Sequence, residues 1–302
     1  MLIPDPMPFK ENPPARSFPV LTGFSLLGFD GPDAATFLQS QTMNDVLALA
    51  VGQWQWNGWL NAKGRVIALF ALLRIDADSF LAILPDYPAS ELQPLLQRYV
   101  FRSKLKITLR EDRVCAANFD ERLMAGFSAG DRMSGQPDIG LAMDWGSESE
   151  SRYLLLLPKD SPALQEPQAQ TDVRWLAFDL AHGLPRLPAS QRETWTPQML
   201  SLDRLRAFSL KKGCYPGQEI VARTHYLGQA KRGLQRVQAP ALSVGESLYD
   251  PAGNAIGTVV SLDHEGTEGL AVCTLAADPD LRNQLGVAVS APDLLPGLQR
   301  PL

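Results

Sequence analysis

Lys211-Lys212-Gly213-Cys214-Tyr215-Pro216-Gly217-Gln218-Glu219 sets one thiol beside two lysines and just ahead of a helix start. Neighbouring cations and the free N–H groups of a helix N-terminus both favour a thiolate over a thiol. A buried structural cysteine needs apolar neighbours, which Lys212, Gly213 and Tyr215 do not supply. The stretch therefore predicts a functional thiol at Cys214, with Lys212 as the cation that keeps it ionised. Cys115 and Cys273 lie instead in the strand-like runs Val114-Cys115-Ala116-Ala117 and Ala271-Val272-Cys273-Thr274, and are read as core. Three cysteines this far apart make no disulfide framework and predict a reducing, cytoplasmic compartment.

Around the motif, residues 203–236 hold eight Lys and Arg against Asp203 and Glu219, a local balance of +6 in a chain of net charge −5. The net acidity argues against a general nucleic-acid binder, and the basic island is either a place for one anionic partner or a set of solvated side chains on helix and strand faces. The 302 residues suffice for two or three domains, and 45% hydrophobic with 20% charged residues is an ordinary globular composition. The longest apolar run, Val66–Leu73, falls well short of the roughly 18 residues of a membrane span, and the proline-rich start is no signal peptide. There is no G-x-S-x-G, Walker loop or G-x-G-x-x-G. His182, His225 and His264 stand apart, so no bound metal is expected.

Outward from the motif, Asp33–Gln41 reads as a helix entered through Pro32. Arg65–Ile75 and Phe80–Leu84 read as strands flanking the turn Asp76-Ala77-Asp78-Ser79. Further helices are predicted from Ser90 to about Tyr99, from Thr171 or Asp172 to Gly183, over Pro197–Phe208, and from about Gly217. After Gly233 short strands alternate with turns such as Asp250-Pro251-Ala252-Gly253-Asn254, the texture of a small β-barrel. Trp54-Gln55-Trp56-Asn57-Gly58-Trp59 puts three indoles in six residues. These could floor a pocket for a flat heteroaromatic ligand or be the buried side chains of a strand.

The segment Lys212–Arg223, K-G-C-Y-P-G-Q-E-I-V-A-R, resembles the signature of the YgfZ-type folate-binding proteins. These are relatives of the glycine-cleavage T-protein and include factors for iron–sulfur protein maturation. Supporting similarity follows in order: Asp33-Ala34 with Phe37-Leu38-Gln39 and Gln41, Asp45-Val46, Asn61-Ala62-Lys63-Gly64-Arg65, Gly183-Leu184-Pro185, and Gly253 with Gly257. The resemblance covers nearly the whole chain from about residue 20. It implies a three-domain α+β fold, with ferredoxin-like antiparallel α+β domains around a central channel. A flexible arm (1–19) would precede a discontinuous folate-binding domain (20–110 and 175–232), a smaller α+β domain (111–174) and a C-terminal β-barrel (233–302). It also implies tetrahydrofolate or a folate derivative as ligand, contacted by Trp54, Trp56, Asn61, Lys63, Tyr215, Gln218, Glu219 and Arg223. The basic island would hold the glutamate tail.

Two positions depart from relatives. T-proteins carry N-x-x-G-x-x-x-D-D, and aligning Asn61 with Gly64 puts Ala68 and Leu69 where the acids stand. An alanine takes no part in proton transfer, so transferase activity is not expected. In Asp179-Leu180-Ala181-His182-Gly183, Ala181 replaces the glutamate of R-I-E-x-G. The implied role is a cytoplasmic, folate-binding, non-transferase protein that assists maturation or repair of iron–sulfur enzymes, including those of tRNA methylthiolation. Its transient partners would be those enzymes or their assembly factors. The alternatives are a folate-dependent aminomethyl or methyl transferase, and a tRNA-binding module using residues 203–236.

Overall fold

A sheet built on the apolar run at Val66 organises the chain. The computed structural model describes residues 17–120, 132–228, 230–275 and 280–300. It opens on a two-residue strand, β1 (Phe18–Pro19). Then come β2 (Ser25–Asp30), α1 (Ala34–Gln41), β3 (Trp54–Leu60), β4 (Val66–Arg74), β5 (Ser79–Leu84), α2 (Ala89–Gln97) and β6 (Lys106–Leu109). The five strands from β2 to β6 pair antiparallel in the order β3-β4-β5-β2-β6. Side chains alternate across this sheet. Ala68, Phe70 and Leu72 share a core with Phe37 and Leu38 of α1 and Leu92 and Leu96 of α2. Leu69, Ala71 and Leu73 face the opposite side, in the cluster that holds Trp54 and Trp56. The turn expected at Asp76 forms, its carboxylate accepting the Asp78 N–H at 2.9 Å.

The second unit is the sheet β7 (Arg113–Asn118), β8 (Met133–Gln136), β9 (Gly140–Asp144) and β10 (Tyr153–Pro158), in the order β7-β10-β9-β8. A short β11 (Leu164–Gln165) pairs in parallel with β1. The proline-rich start was expected to be a loose arm through residue 19; Phe18 is instead buried in this contact, because it caps the apolar face of β10. Residues 1–16 lie outside the described residues. Helix α3 (Ala169–Ala181) then brings Trp175, Phe178 and Leu180 into the cluster between the two sheets.

The helix expected over Pro197–Phe208 does not form. A 3-10 turn at Leu202–Leu205 stands between Ser201 and Arg206, both left-handed at φ 49° and 53°. Long-range partners hold this path: Ser201 Oγ accepts the Leu234 N–H, and Asn44 Nδ2 donates to Arg206 O at 2.7 Å. Helix α4 (Gln218–Leu227) follows. Next come β12 (Arg232–Gln238), β13 (Ser247–Tyr249), β14 (Ala255–Leu262), β15 (Glu268–Thr274), β16 (Leu281–Arg282) and β17 (Ala288–Val289). Their order is β12-β15-β14-β13-β16-β17, and a bridge from Gln238 to Ser290 joins the two ends of the curled sheet.

The chain then leaves the barrel. Residues 291–300 run without regular structure back over α3 and the first two sheets. Leu295 N–H donates to Ala181 O, Trp56 Nε1 donates to Leu298 O at 2.8 Å, and Arg300 Nη2 donates to Asp144 O at 2.6 Å. Among the described residues no helix is long and apolar enough to cross a membrane.

Candidate functional site

Two sequence motifs far apart in the chain press on each other through a pair of glycines. Gly64 and Gly217 both have left-handed backbones, φ 69° and 79°. A Cβ on Gly217 would lie 2.5 Å from Asn61 O and 2.6 Å from Gly64 Cα; one on Gly64 would lie 2.8 Å from Ile220 Cβ. Only glycine meets both the backbone and the space requirement at this junction. Asn61 builds the facing turn, its Oδ1 accepting the N–H groups of Lys63 (2.9 Å) and Arg65 (3.0 Å), and its Nδ2 donating to Glu193. Its amide is thus committed to the turn. Lys63 is exposed beside it.

The loop over residues 209–217 is fixed at both flanks and open at its tip. Ser209 N–H donates to Met43 O. Lys212 is 5% exposed, and its Nζ donates to Thr42 O at 2.5 Å and Asn44 O at 2.9 Å, 4.9 Å from the centre of the Tyr215 ring. Tyr215 is buried, its hydroxyl pushed up to about 12 by burial. Gln218 Nε2 reaches back to Lys212 O at 3.4 Å. Between these anchors Gly213 and Cys214 are exposed, and a Cβ on Gly213 would meet nothing within 4 Å.

This geometry corrects the expected role of Lys212. Its ammonium is spent on two buried carbonyls, and the buried side chains of the loop are Lys212 and Tyr215, with Gly213 and Cys214 exposed between them. In the first turn of α4, Gln218 N–H donates to Tyr215 O and Ile220 N–H to Gly217 O. Lys212 locks the loop to the residues after α1, its Nζ bonded to Thr42 O and Asn44 O. Burial brings its pKa down to about 8 from 10.5, against a smaller opposing pull from Asp45. Between those values the unfolded chain binds the extra proton, so stability rises with pH through that window. A Lys212→Met chain lacks this titration. Wild type should therefore gain up to about 3 kcal/mol relative to Lys212→Met between pH 7 and pH 10, read by urea unfolding at several pH values. A pH-independent difference would show that the ammonium is not buried.

Trp54 and Trp56 are 0% and 1% exposed, so neither offers a face to a ligand. Their indoles pack at 5.4 Å from each other and at 5.6 and 4.9 Å from Trp145. The C-terminal segment completes the enclosure, Arg300 lying 4.9 Å over the Trp54 ring. The expected folate floor is a core. Glu219 and Arg223 are exposed on α4, and Gln218 is partly buried. On β4 neither face carries a carboxylate: Ala68 packs with α1 and α2, and Leu69 faces the central cluster.

Two features were not singled out from the sequence. Asp179 of α3, fully buried, accepts Arg152 Nη1 at 2.5 Å and Arg186 Nε at 2.9 Å, and Arg186 also donates to Asp86 at 3.0 Å. Desolvation is the main influence on Asp86 and raises its pKa. Beside this network a cavity of about 700 Å3 opens between the first unit and the barrel, lined by Phe24, Asp86, Trp175, Arg186, Leu262 and His264. Among the described residues no three His, Cys, Asp or Glu side chains gather as metal donors.

No protein-family model matches the chain. It is similar to the tRNA-modifying protein YgfZ of Edwardsiella ictaluri, 30% identical over 250 residues that span 75% of this chain and 74% of the relative. The protein of the same description from Vibrio vulnificus is 29% identical over 240 residues, 74% of this chain and 70% of that one. Among solved structures, the glycine cleavage system aminomethyltransferase T of Bartonella henselae superposes with a TM-score of 0.73 over 95% of this chain and 88% of that chain. At 18% identity this likeness shows the fold, an α+β T-protein-like architecture.

Proposed function

The chain belongs to the family of the tRNA-modifying protein YgfZ, and from that premise we propose that it is a folate-binding, non-transferase helper of iron–sulfur enzymes, among them those that methylthiolate tRNA. The observation that carries this reading is the presentation of Cys214. It is the exposed thiol among three, at the open tip of a loop whose flanks are locked to the first sheet, while Cys115 and Cys273 are buried. Burial pushes the Cys273 thiol up to about 12 and raises Cys115 as well, which leaves both unreactive. A rigidly held, accessible thiol suits exchange with a partner protein better than it suits a core.

For folate, the indoles expected to receive it do not fit, being buried. The cavity beside Asp86 fits better. Its volume lies within the range of small-molecule sites, about 300–1,000 Å3, and Phe24 and Leu262 give it apolar walls. Each oxygen of Asp86 accepts one hydrogen bond, from Arg186 and from Leu187 N–H, and keeps a second lone pair for the paired N–H donors of an aminopyrimidine ring. The chain itself offers no carboxylate on β4 for one-carbon transfer, which supports a non-transferase role.

Titration with tetrahydrofolate should give a saturable change in tryptophan fluorescence, since Trp175 borders the cavity. Incubation with tetrahydrofolate and an aminomethyl, sarcosine or dimethylglycine donor should show no turnover above background. A flat titration would remove the ligand from the account, and turnover would replace the helper with a transferase.

A further inference from the structure

Four cations gather on the surface near the Cys214 loop, and among the described residues none of them makes an ion pair. Arg65 from the turn after β3, Arg223 from α4, and Lys231 and Arg232 at the start of β12 line a groove of about 610 Å3 floored by Met199 and Ile220. No acidic residue is among the described residues of that lining, and no ion pair among the described residues involves any of the four. Arg223, Lys231 and Arg232 are exposed, and Arg65 is half-buried, with Nη1 on Thr194 O at 2.8 Å. In a chain of net charge −5 such a cluster is a local site for an anion.

The same helix carries a second signal. His225 and Tyr226 are exposed and meet edge-to-face at 4.9 Å, and Tyr226 is 68% exposed. A contiguous second groove runs past His225 and shares Thr224 and Arg232 with the first; Asp203 is its one acid among the described residues. Guanidinium forks match phosphate oxygens, and an exposed ring offers a face on which an unpaired base stacks. A polycarboxylate tail would use the cations and leave the rings without a task.

We propose that the outer face of α4, with Arg65, Lys231 and Arg232, binds the phosphodiester backbone of a single-stranded or loop segment of RNA, with Tyr226 stacking on a base. The site shares its floor with the glycine junction, since Ile220 touches Gly64, so bound RNA lies next to the Cys214 loop. The inference goes beyond the proposed function and stands without the folate and thiol readings.

The test is fluorescence anisotropy with the full chain and a short fluorescein-labelled single-stranded oligoribonucleotide. Four neutralised phosphates predict a log–log salt slope of roughly −3 for single strands. Arg223→Glu with Arg232→Glu should weaken binding at least about ten-fold and flatten the slope to roughly −1. Tyr226→Ala should weaken it about five-fold or more. All three positions are exposed, so the variants should melt like wild type. Three results would each overturn the proposal: no saturable binding at low salt, affinity and slope unchanged in the charge-reversed variant, or displacement by polyglutamate as effective as by unlabelled RNA together with an inert Tyr226→Ala.

Discussion

Replacing Asp179 with alanine should lower the unfolding free energy by roughly 3–5 kcal/mol, the cost of stranding a buried charge. Arg152 is fully buried and has Asp179 as its ion-pair partner; its other polar contacts among the described residues are the carbonyls of Trp145 and Trp175. Its guanidinium also stacks 4.3 Å from the Trp175 ring centre and 3.9 Å from that of Phe178, so it has nowhere to move. Arg186 would keep Asp86 and lose Asp179. Against a total stability of about 5–15 kcal/mol the loss is large. The network joins α3, the strand end before β10 and the segment around Asp86, so the variant should loosen the contact between the two sheets first. Replacing Arg152 and Asp179 together with Met and Leu should restore much of the loss, because desolvation offsets most of the gain of a buried pair. Urea unfolding followed by tryptophan fluorescence measures both. A single-variant loss under about 1 kcal/mol would show that the pair does not hold the units together.

Cys214→Ser should do the reverse, sparing the fold and removing the function. The side chain is exposed and forms no disulfide among the described residues. Stability should stay within about 0.5 kcal/mol of wild type. Iodoacetamide should label one site in the native wild-type chain and none in the variant, because the two other thiols are buried. The support proposed for iron–sulfur enzymes should fall to the level seen without the protein. Cys115→Ser tests the opposite case: it places a hydroxyl in the central cluster, so it should destabilise while leaving Cys214 competent.

Much of this was legible in the sequence, wherever local chemistry decides the structure. The turn at Asp76, the helix behind Pro32, the start of α4 at Gly217 and the short strands after Gly233 each follow from residues adjacent in the chain. What failed depends on distant partners. Of the two readings of Trp54 and Trp56, the buried strand holds and the ligand floor does not: Trp145 and the segment near Leu298 cover the indole face, while Trp59 packs on the opposite side with α1 and α2. Pro197–Phe208 has the composition of a helix, and Asn44 and Leu234 hold it in another shape. Lys212 reads as a neighbour of Cys214; its actual partners, Thr42 and Asn44, lie some 170 residues earlier. The groove beside α4 was half visible: the basic island contained Arg223, Lys231 and Arg232, but Arg65 joins them only through the contact of Gly64 with Ile220.

We propose that an exposed thiol on a T-protein-like scaffold works for iron–sulfur enzymes that modify tRNA. The most direct test measures the methylthiolated nucleosides of total tRNA by mass spectrometry in cells lacking the protein and supplied with wild type, Cys214→Ser or Ala68→Gly. Wild type and Ala68→Gly should restore the modification, and Cys214→Ser should leave it at the level of the empty strain. Full restoration by Cys214→Ser would contradict the account.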